Sequence, residues 1–222
     1  MSDSAPSEWD LAAASFDDEP DHGLRNPELR SAWIELLMKH LPDPPATLLD
    51  LGCGTGTLSV LLASMGFTVT GVDSSAGMLD QAKVKADREG FPVEFVLGDA
   101  ASPPVVGTFD VLLCRHVLWA LPDLAGALTC WRSFLGPGGR LVLIEGLWST
   151  GAGIAATDLV PTVERIIGKS RLERLTDEAL WGKAISDERY LGSGHCVGAV
   201  RCRGAPHEVT SALAVARFSG DV

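Results

Sequence analysis

The residues best suited to chemistry are a glycine-rich loop and three aspartates that close apolar runs. The loop, Gly52-Cys53-Gly54-Thr55-Gly56, directly follows the apolar run 47–51. Glycines at alternate positions let the backbone turn tightly and approach a ligand, and the free N–H groups of a following helix attract an anion. The aspartates are Asp50, Asp73 and Asp99. Three carboxylates at one crevice repel each other unless they meet donors, so the pattern favours a ligand with an amine, a ribose diol and an exocyclic amine. A tight turn without a ligand, with each aspartate serving as a helix cap, is the alternative.

Short apolar runs alternate with helical periods, and this alternation predicts the elements that position the loop. Continuously apolar strands separated by crossover helices are typical of a doubly wound parallel sheet with helices on both faces. Because ligands of such open sheets bind at the carboxyl ends of the strands, we expect the loop and the three aspartates at one edge. The predicted strands are 47–51, 68–73, 93–97, 109–114 and 140–145.

Further elements are predicted on both sides of these strands. Ser7 is an N-cap for a terminal helix, and Asn26-Pro27 begins a helix that stops at Pro42. The sequence after Leu191, Gly-Ser-Gly-His-Cys, does not resemble a buried strand. The other predicted elements are helices over 123–135 and 155–168 and short strands over 171–175 or 188–191.

Composition and charge exclude several classes of function. The 222 residues carry a net charge of −11 and no run of Lys or Arg, which argues against recognition of nucleic acid. The N-terminus lacks the regions of a secretory signal, and no apolar stretch reaches the roughly 18 residues of a membrane-spanning helix. The five cysteines are scattered without a C-x-x-C pair, so neither a disulfide framework nor a metal site is expected. A cytoplasmic protein without nucleic-acid or membrane partners is therefore predicted.

Taken in chain order, these motifs resemble those of class I S-adenosylmethionine-dependent methyltransferases. The acid-x-Gly-x-Gly-x-Gly loop of that family corresponds to residues 50–56, and its second-strand acid to Asp73. The resemblance implies a Rossmann-like, mostly parallel seven-stranded sheet with helices on both faces. It also implies S-adenosyl-L-methionine as cofactor, S-adenosyl-L-homocysteine as product, and methyl transfer by in-line displacement. The matching segments are 50–56, 71–75, 95–100, 109–113 followed by 118–122, and 135–143.

The resemblance also assigns cofactor contacts. Asp50 and the loop backbone would hold the amino-acid end of the cofactor, Asp73 the ribose hydroxyls, and Asp99 with the Ala100 N–H the adenine. Met78 would pack on the adenine or within the core of its helix, and the two placements are compatible. The full set of predicted cofactor contacts is Asp50, Gly52, Cys53, Gly54, Thr55, Gly56, Asp73, Ser74, Met78, Asp99, Ala100 and Arg115.

The same resemblance places His116, after the fourth strand, near the transferred methyl group. An imidazole titrates near neutral pH, so His116 is either a general base or a hydrogen-bonded wall residue. Trp9, Phe16 and His22 resemble a mobile helix that closes over cofactor and substrate, with simple packing of a terminal helix as the alternative. Trp119 is a candidate wall of the substrate cavity. The Asn/Asp-Pro-Pro-aromatic motif is absent after the fourth strand, which favours a small-molecule acceptor.

A basic group lies in the C-terminal third of the sequence. Its members are Arg165, Lys169, Arg171 and Arg174. They are predicted to form a solvated face, and a contact with an anionic substrate is the alternative.

These patterns predict that the chain divides into three parts. Residues 1–46 form an N-terminal helical lid or substrate segment, 47–191 a cofactor-binding methyltransferase domain, and 192–222 a weakly ordered C-terminal tail. A monomer or a homodimer is expected. Two other functions stay open: a non-catalytic S-adenosylmethionine-binding protein, and an NAD(P)-dependent oxidoreductase. The loop of the oxidoreductase places its third glycine one residue later, and that chemistry gives Asp99 no role.

Overall fold

A seven-stranded sheet forms the centre of the molecule. The structure is a computed structural model that describes residues 7–195. The strands are β1 (Thr47–Leu51), β2 (Thr68–Asp73), β3 (Glu94–Leu97), β4 (Phe109–Arg115), β5 (Leu135–Leu147), β6 (Ser170–Arg174) and β7 (Glu188–His195). They lie in the order β3-β2-β1-β4-β5-β7-β6. β1 to β5 are parallel, and β7 runs antiparallel to both of its neighbours. The predicted Rossmann-like fold is confirmed.

Helices cover both faces of this sheet. One apolar cluster joins Trp33 and Leu61 to Leu48 of β1, and the other joins Trp131 to Leu49. Adjacent residues of a strand point to opposite faces, so β1 supplies both clusters. Within the described part of the chain, no helix has the length and apolar composition of a membrane-spanning segment. The helices are α1 (Glu8–Ala12), α2 (Pro20–Gly23), α3 (Pro27–His40), α4 (Thr57–Ser64), α5 (Ala76–Glu89), α6 (Leu124–Arg132) and α7 (Ala156–Ile166).

Side-chain caps fix the starts of the helices that border the site. Ser7 caps α1, as expected, by accepting the N–H of Asp10, whose carboxylate accepts the N–H of Ser7 in turn. Asn26 caps α3 ahead of a proline in the first turn. Ser75 begins α5 by accepting the N–H of Met78 at 3.1 Å. These polar side chains satisfy backbone donors that each first turn leaves without an intrahelical partner.

The segment between α6 and β5 differs from the expected helix over 123–135. α6 ends at Arg132, and Leu135 already pairs with Phe109 of β4. The backbone passes so close to β4 that a side chain at Gly139 would lie 3.1 Å from the Phe109 carbonyl oxygen. Leu135 is buried, and the apolar signal that suggested a helix there belongs to a strand of the sheet.

The predicted boundary at residue 192 is wrong, because β7 continues to His195. Gly192 pairs with Leu143 of β5, and Gly194 pairs with Leu141. An antiparallel ladder needs only backbone groups, so the small residues that argued against a strand are compatible with one between β5 and β6. The remainder of the predicted tail, 196–222, lies outside the described residues.

Candidate active site

The glycine loop joins β1 to α4 with its three glycines in the left-handed region. The φ angles of Gly52, Gly54 and Gly56 are +74°, +55° and +73°. A Cβ at Gly52 would lie 3.1 Å from Cγ1 and 3.2 Å from Cβ of Val117. The N–H of Gly52 donates to the Val72 carbonyl of β2 at 2.8 Å, which holds the loop against the neighbouring strand. Backbone geometry and the lack of space therefore both require glycine at position 52.

Asp73 ends β2 directly beside this loop. Its Oδ2 accepts the N–H of Gly54 at 2.8 Å, and its Oδ1 accepts the N–H of Ser75 at 2.9 Å. Burial raises the pKa of Asp73 above its ordinary value, while these backbone bonds act in the opposite direction. Each carboxylate oxygen can still accept a further hydrogen bond, which suits a pair of adjacent hydroxyls. Ser74, another predicted contact, is exposed beside it.

Asp50 of β1 is buried, in contrast to Asp73. Its Oδ2 accepts a hydrogen bond from the Ser59 hydroxyl of α4 at 2.5 Å. Burial raises the pKa of Asp50 to about 6, the Ser59 bond lowers it, and the nearby Asp73 raises it. Asp50 is therefore hydrogen-bonded to α4, and its pKa is sensitive to any charge that approaches the loop.

The predicted contacts at the end of β3 lie at the same edge of the sheet. Asp73 pairs with Leu97, so Asp99 follows two residues beyond that position. Asp99 is exposed and accepts the Ala101 N–H at 2.8 Å. The carbonyl of Ala100, which is buried, accepts the indole N–H of Trp131 at 2.7 Å.

These features fit S-adenosylmethionine, the cofactor implied by the resemblance. Carboxylates lie at or just beyond the carboxyl ends of β1, β2 and β3, and the loop beside them has no side chain at its three glycines. Met78 is buried in the first turn of α5, where it adds apolar surface. Carboxylates accept from amine and hydroxyl donors, and left-handed glycines allow a close backbone approach.

The N-terminal segment is bonded to three elements that border this site: α5, the glycine loop and β4. Three of its carboxylates, Asp10, Asp17 and Asp21, make these contacts, and we call them the acidic clasp. Asp10 Oδ1 accepts the Ser75 hydroxyl at 2.6 Å and the Gly77 N–H at 3.0 Å, at the start of α5. These bonds hold the pKa of Asp10 well below its usual range. The clasp thus places an anion where the helix N-terminus favours one.

The other two clasp residues pair with cations. Asp17 Oδ2 lies 2.8 Å from Lys85 Nζ, and its Oδ1 accepts the Thr55 hydroxyl at 2.6 Å. Asp21 Oδ2 lies 2.9 Å from an Arg115 guanidinium nitrogen. The Thr55 hydroxyl and the Arg115 guanidinium, two predicted cofactor contacts, are therefore bonded to the N-terminal segment.

The aromatic residues predicted as a lid lie over the loop. Phe16 and His22 stack with their ring centroids 4.3 Å apart, and Trp9 meets Phe16 edge-on at 6.4 Å. A Cβ at Gly54 would lie 3.7 Å from the Phe16 ring. Burial lowers the pKa of His22, and the positive charge of Arg115 lowers it further. A neutral His22 suits this stacked position.

Replacing Asp17 with asparagine is expected to lower the free energy of unfolding by about 2 kcal/mol, because Lys85 would keep its buried position without an anionic partner. Burial already lowers the pKa of Lys85, and the Asp17 bond opposes that shift. The matched control is Asp18→Asn, since the Asp18 side chain is 67% exposed and pairs with exposed Arg25. Urea unfolding should place this control within about 0.5 kcal/mol of wild type. Equal losses in the two variants would contradict the assigned importance of the Asp17–Lys85 pair.

His116 follows β4 and is half-buried among aromatic rings. Its φ of +58° is unusual for a residue with a side chain. The ring stacks on Trp181 at 6.1 Å and meets Trp148 edge-on at 5.0 Å. Among residues 7–195, no side chain or backbone group bonds its buried Nε2. Burial lowers the pKa of His116 well below its ordinary value, and Arg115 and Arg189 add to this effect. His116 is therefore neutral.

Arginines and tryptophans complete the surroundings of His116. Arg115 lies over the Trp33 ring at 4.4 Å, and Arg189 lies over the Trp181 ring at 4.7 Å. Trp119, predicted as a substrate wall, is 37% exposed. Its indole N–H donates to the His116 carbonyl at 2.9 Å. Cations over aromatic faces keep this region charged and rigid.

Comparison with known proteins finds a family match over part of the chain. Residues 49–143 match the family described as "Methyltransferase domain". This part of the chain is therefore a methyltransferase domain. A curated relative from Paraburkholderia xenovorans (strain LB400), named ubiquinone biosynthesis O-methyltransferase, is 35% identical over 141 residues, which cover 63% of this chain and 57% of the relative. The chain therefore spans little more than half the length of this curated relative.

Solved structures share the fold of the methyltransferase domain. The N-methyltransferase NodS from Bradyrhizobium japonicum WM9, in complex with S-adenosyl-L-homocysteine, gives a TM-score of 0.66 at 18% identity, covering 86% of this chain and 99% of that one. The [4+2]-cyclase SpnF gives a TM-score of 0.64 at 20% identity, covering 74% and 79%. The same fold therefore occurs in proteins named for two different reactions, and function depends on the residues of the site.

Sequence reasoning missed several residues of the methyltransferase domain that border the site. Glu145 near the end of β5 is fully buried, and its Oε1 accepts the N–H groups of Val117 and Leu118 at 3.1 and 2.9 Å. Its Oε2 has no hydrogen-bond partner within residues 7–195. A glutamate at the end of an apolar strand run was the signal that could have identified it. The acidic clasp was likewise missed, although seven acids lie in residues 1–21.

Glu145 is expected to make the stability of the methyltransferase domain depend on pH. Burial raises its pKa from 4.5 to about 8, so the folded state binds this proton more tightly than the unfolded chain. The stabilisation is complete below the unfolded pKa and is lost as pH rises through the folded value. From about pH 5 to about pH 9, wild type should lose on the order of 4 kcal/mol relative to Glu145→Gln.

Urea unfolding at those two pH values measures this difference. Exposed Glu35, in the middle of α3, provides the matched control. Glu35→Gln should follow the wild-type pH dependence. If Glu145→Gln also followed it, the buried carboxyl would not be the source of the effect.

Proposed function

We propose that this chain binds S-adenosylmethionine and transfers its methyl group to a small-molecule acceptor, with S-adenosylhomocysteine as the product. The observation that carries this proposal is the position of Asp73. Two backbone N–H groups hold its carboxylate beside the glycine loop, at the carboxyl end of β2. A fixed carboxylate with lone pairs to spare is suited to a ribose diol.

The remaining contacts follow from this anchor. In our proposal, Asp50 and the backbone of Gly52–Gly56 hold the amino-acid end of the cofactor. Asp99 and the Ala100 N–H hold the adenine, and the buried Met78 packs against it. Arg115 supports the site from behind, because its guanidinium contacts Asp21 of the N-terminal segment and the Trp33 ring.

Catalysis in this proposal rests on position and on exclusion of water. When bound, the sulfonium of the cofactor supplies an electrophilic methyl group. The protein's task is then to hold the acceptor atom in line behind that methyl group. The Phe16–His22 stack over the loop, secured by the acidic clasp, closes the site to solvent.

We assign the acceptor contact to His116. A neutral imidazole can accept a hydrogen bond from a hydroxyl or amine of the acceptor, and its buried Nε2 is not bonded within residues 7–195. Trp119 and Trp148, 5.9 Å apart, provide apolar surface next to it. This combination favours an acceptor with a flat, apolar body and one polar group to be methylated.

The test measures S-adenosylhomocysteine formed from S-adenosylmethionine with a panel of small phenols, carboxylates, amines and thiols. Wild type should turn over at least one class of acceptor. His116→Asn should lower kcat by about 100-fold, the usual contribution of a positioned proton acceptor, and should leave S-adenosylhomocysteine affinity unchanged. If His116→Asn kept the wild-type kcat, His116 would be a wall residue of the acceptor site and not the proton acceptor.

A binding function without turnover would give a different pattern. The wild-type protein would then bind S-adenosylhomocysteine and form none of it with any acceptor class. That result would contradict the transferase proposal and favour a non-catalytic cofactor-binding protein.

A further inference from the structure

A cavity of about 330 Å³ opens at the end of the sheet opposite the glycine loop. Arg140 of β5 lines it and pairs with Val111, near the start of β4. The candidate active site lies at the other end of β4, beyond Arg115. Because strand residues rise by about 3.3 Å each, roughly 16 Å separate Val111 from His116 along the strand. The cavity is therefore distinct from the cofactor site.

Positive charge dominates the lining of this cavity. Its permanently charged side chains are Lys39, Arg140, Lys169 and Arg171. One carboxylate, Glu173, lies 3.8 Å from Lys39 and 2.9 Å from the imidazole of His40. The other three cations form no ion pair with any carboxylate of residues 7–195. This local excess of positive charge contrasts with the net charge of the chain, which is −11.

A buried residue holds one of these cationic side chains in place. The Arg140 guanidinium donates to the His40 carbonyl at 3.0 Å, at the end of α3. His40 is buried, and its Nδ1 lies 3.3 Å from the Ser193 hydroxyl of β7. Arg171 pairs with Ser193 in the β6–β7 ladder. A guanidinium has five N–H donors, so Arg140 keeps donors for a ligand.

In the structure, only two of the four residues in the predicted basic group line this cavity. Arg174 pairs with Glu188 at 3.2 Å, and Arg165 does not line the cavity. Lys169 and Arg171 instead join Lys39 and Arg140, which are distant in sequence. Cations brought together from α3, β5 and β6 repel each other, and an anionic ligand relieves that repulsion.

We propose that this cavity binds a small phosphate-bearing ligand. Phosphate oxygens accept several hydrogen bonds at once, and arginine forks match their geometry. The volume lies at the lower end of the roughly 300–1,000 Å³ typical of ligand pockets, which suits a pyrophosphate or a small phosphomonoester. This site is independent of the proposed methyl transfer.

Calorimetry with pyrophosphate at constant ionic strength tests the proposal. Wild type should show saturable binding. The double variant Lys169→Gln/Arg171→Gln should bind at least about tenfold more weakly, because two charge-assisted contacts are lost. Both replaced side chains are exposed, so the fold should persist, and thermal unfolding checks this.

The matched control is Arg165→Gln, an exposed arginine of α7 outside the cavity. It should bind pyrophosphate with the wild-type affinity. Absence of saturable binding by wild type, or equal weakening by Arg165→Gln, would overturn the proposal. Vesicles of phosphatidylcholine with and without phosphatidic acid form a second arm. Binding to the acidic vesicles without binding of pyrophosphate would assign a lipid headgroup and would also contradict a small-ligand site.

Discussion

Replacing Asp73 with alanine is expected to weaken the binding of S-adenosylhomocysteine by about 100-fold, because charge-assisted contacts to the ribose hydroxyls would be lost. The change also releases the N–H groups of Gly54 and Ser75, which Asp73 now satisfies. The loop and the start of α5 would lose the carboxylate that joins them. Loss of the ribose contacts and loss of the link between the loop and α5 both lower the affinity for S-adenosylhomocysteine.

Isothermal calorimetry on wild type, Asp73→Asn and Asp73→Ala separates these effects. The asparagine keeps an oxygen for one backbone N–H and removes the charge, so its affinity should fall between those of the other two proteins. Asp80→Asn is the matched control, since the Asp80 side chain is 74% exposed on α5. Equal affinity in wild type and Asp73→Ala would reject the assignment of Asp73. Failure of wild type to bind would reject the proposed function itself.

Gly52→Ala is expected to lower the free energy of unfolding by about 3 kcal/mol. Two costs combine in this figure. The left-handed φ of +74° is unfavourable for alanine, and the new methyl group would lie 3.1 Å from Cγ1 of Val117. The loop must move away from β2 or Val117 must shift, and either change disturbs the floor of the proposed cofactor site.

Gly90→Ala isolates the backbone cost of this substitution. Gly90 ends α5 with a φ of +76°, and a Cβ there would meet nothing within 4 Å. It should cost only about 1 kcal/mol. Truncating Val117 in Gly52→Ala/Val117→Ala should restore part of the lost stability. Urea unfolding of the four proteins tests both statements, and equal losses for Gly52→Ala and Gly90→Ala would remove Val117 from the explanation.

Much of the fold could be predicted from the sequence because its signals are local. Apolar runs identified β1 to β4, and the polar caps at Ser7 and Asn26 identified helix starts. The last residues of β7, 192–195, gave no such signal. Gly192 and Gly194 enter the sheet through backbone hydrogen bonds to β5, and a side-chain pattern does not report these.

The features of the candidate site likewise divide into those with a local sequence signal and those without one. The glycine loop and Asp73 each lie at the carboxyl end of an apolar strand, so their proximity at one edge of a parallel sheet could be predicted. The acidic clasp could not, because Asp10 reaches Ser75 and Asp17 reaches Lys85 across more than 60 residues of sequence. A count of acids does not distinguish a solvated carboxylate from one that faces a buried lysine.

The acidic clasp also bears on the timing of turnover. Its three carboxylates contact α5, the glycine loop and β4, so the N-terminal segment bridges three elements that border the proposed cofactor site. Exchange of spent cofactor for fresh cofactor across this face requires all of these contacts to break. We therefore expect departure of the product, and not methyl transfer, to limit the steady-state rate, and added salt to accelerate it by weakening the ion pairs.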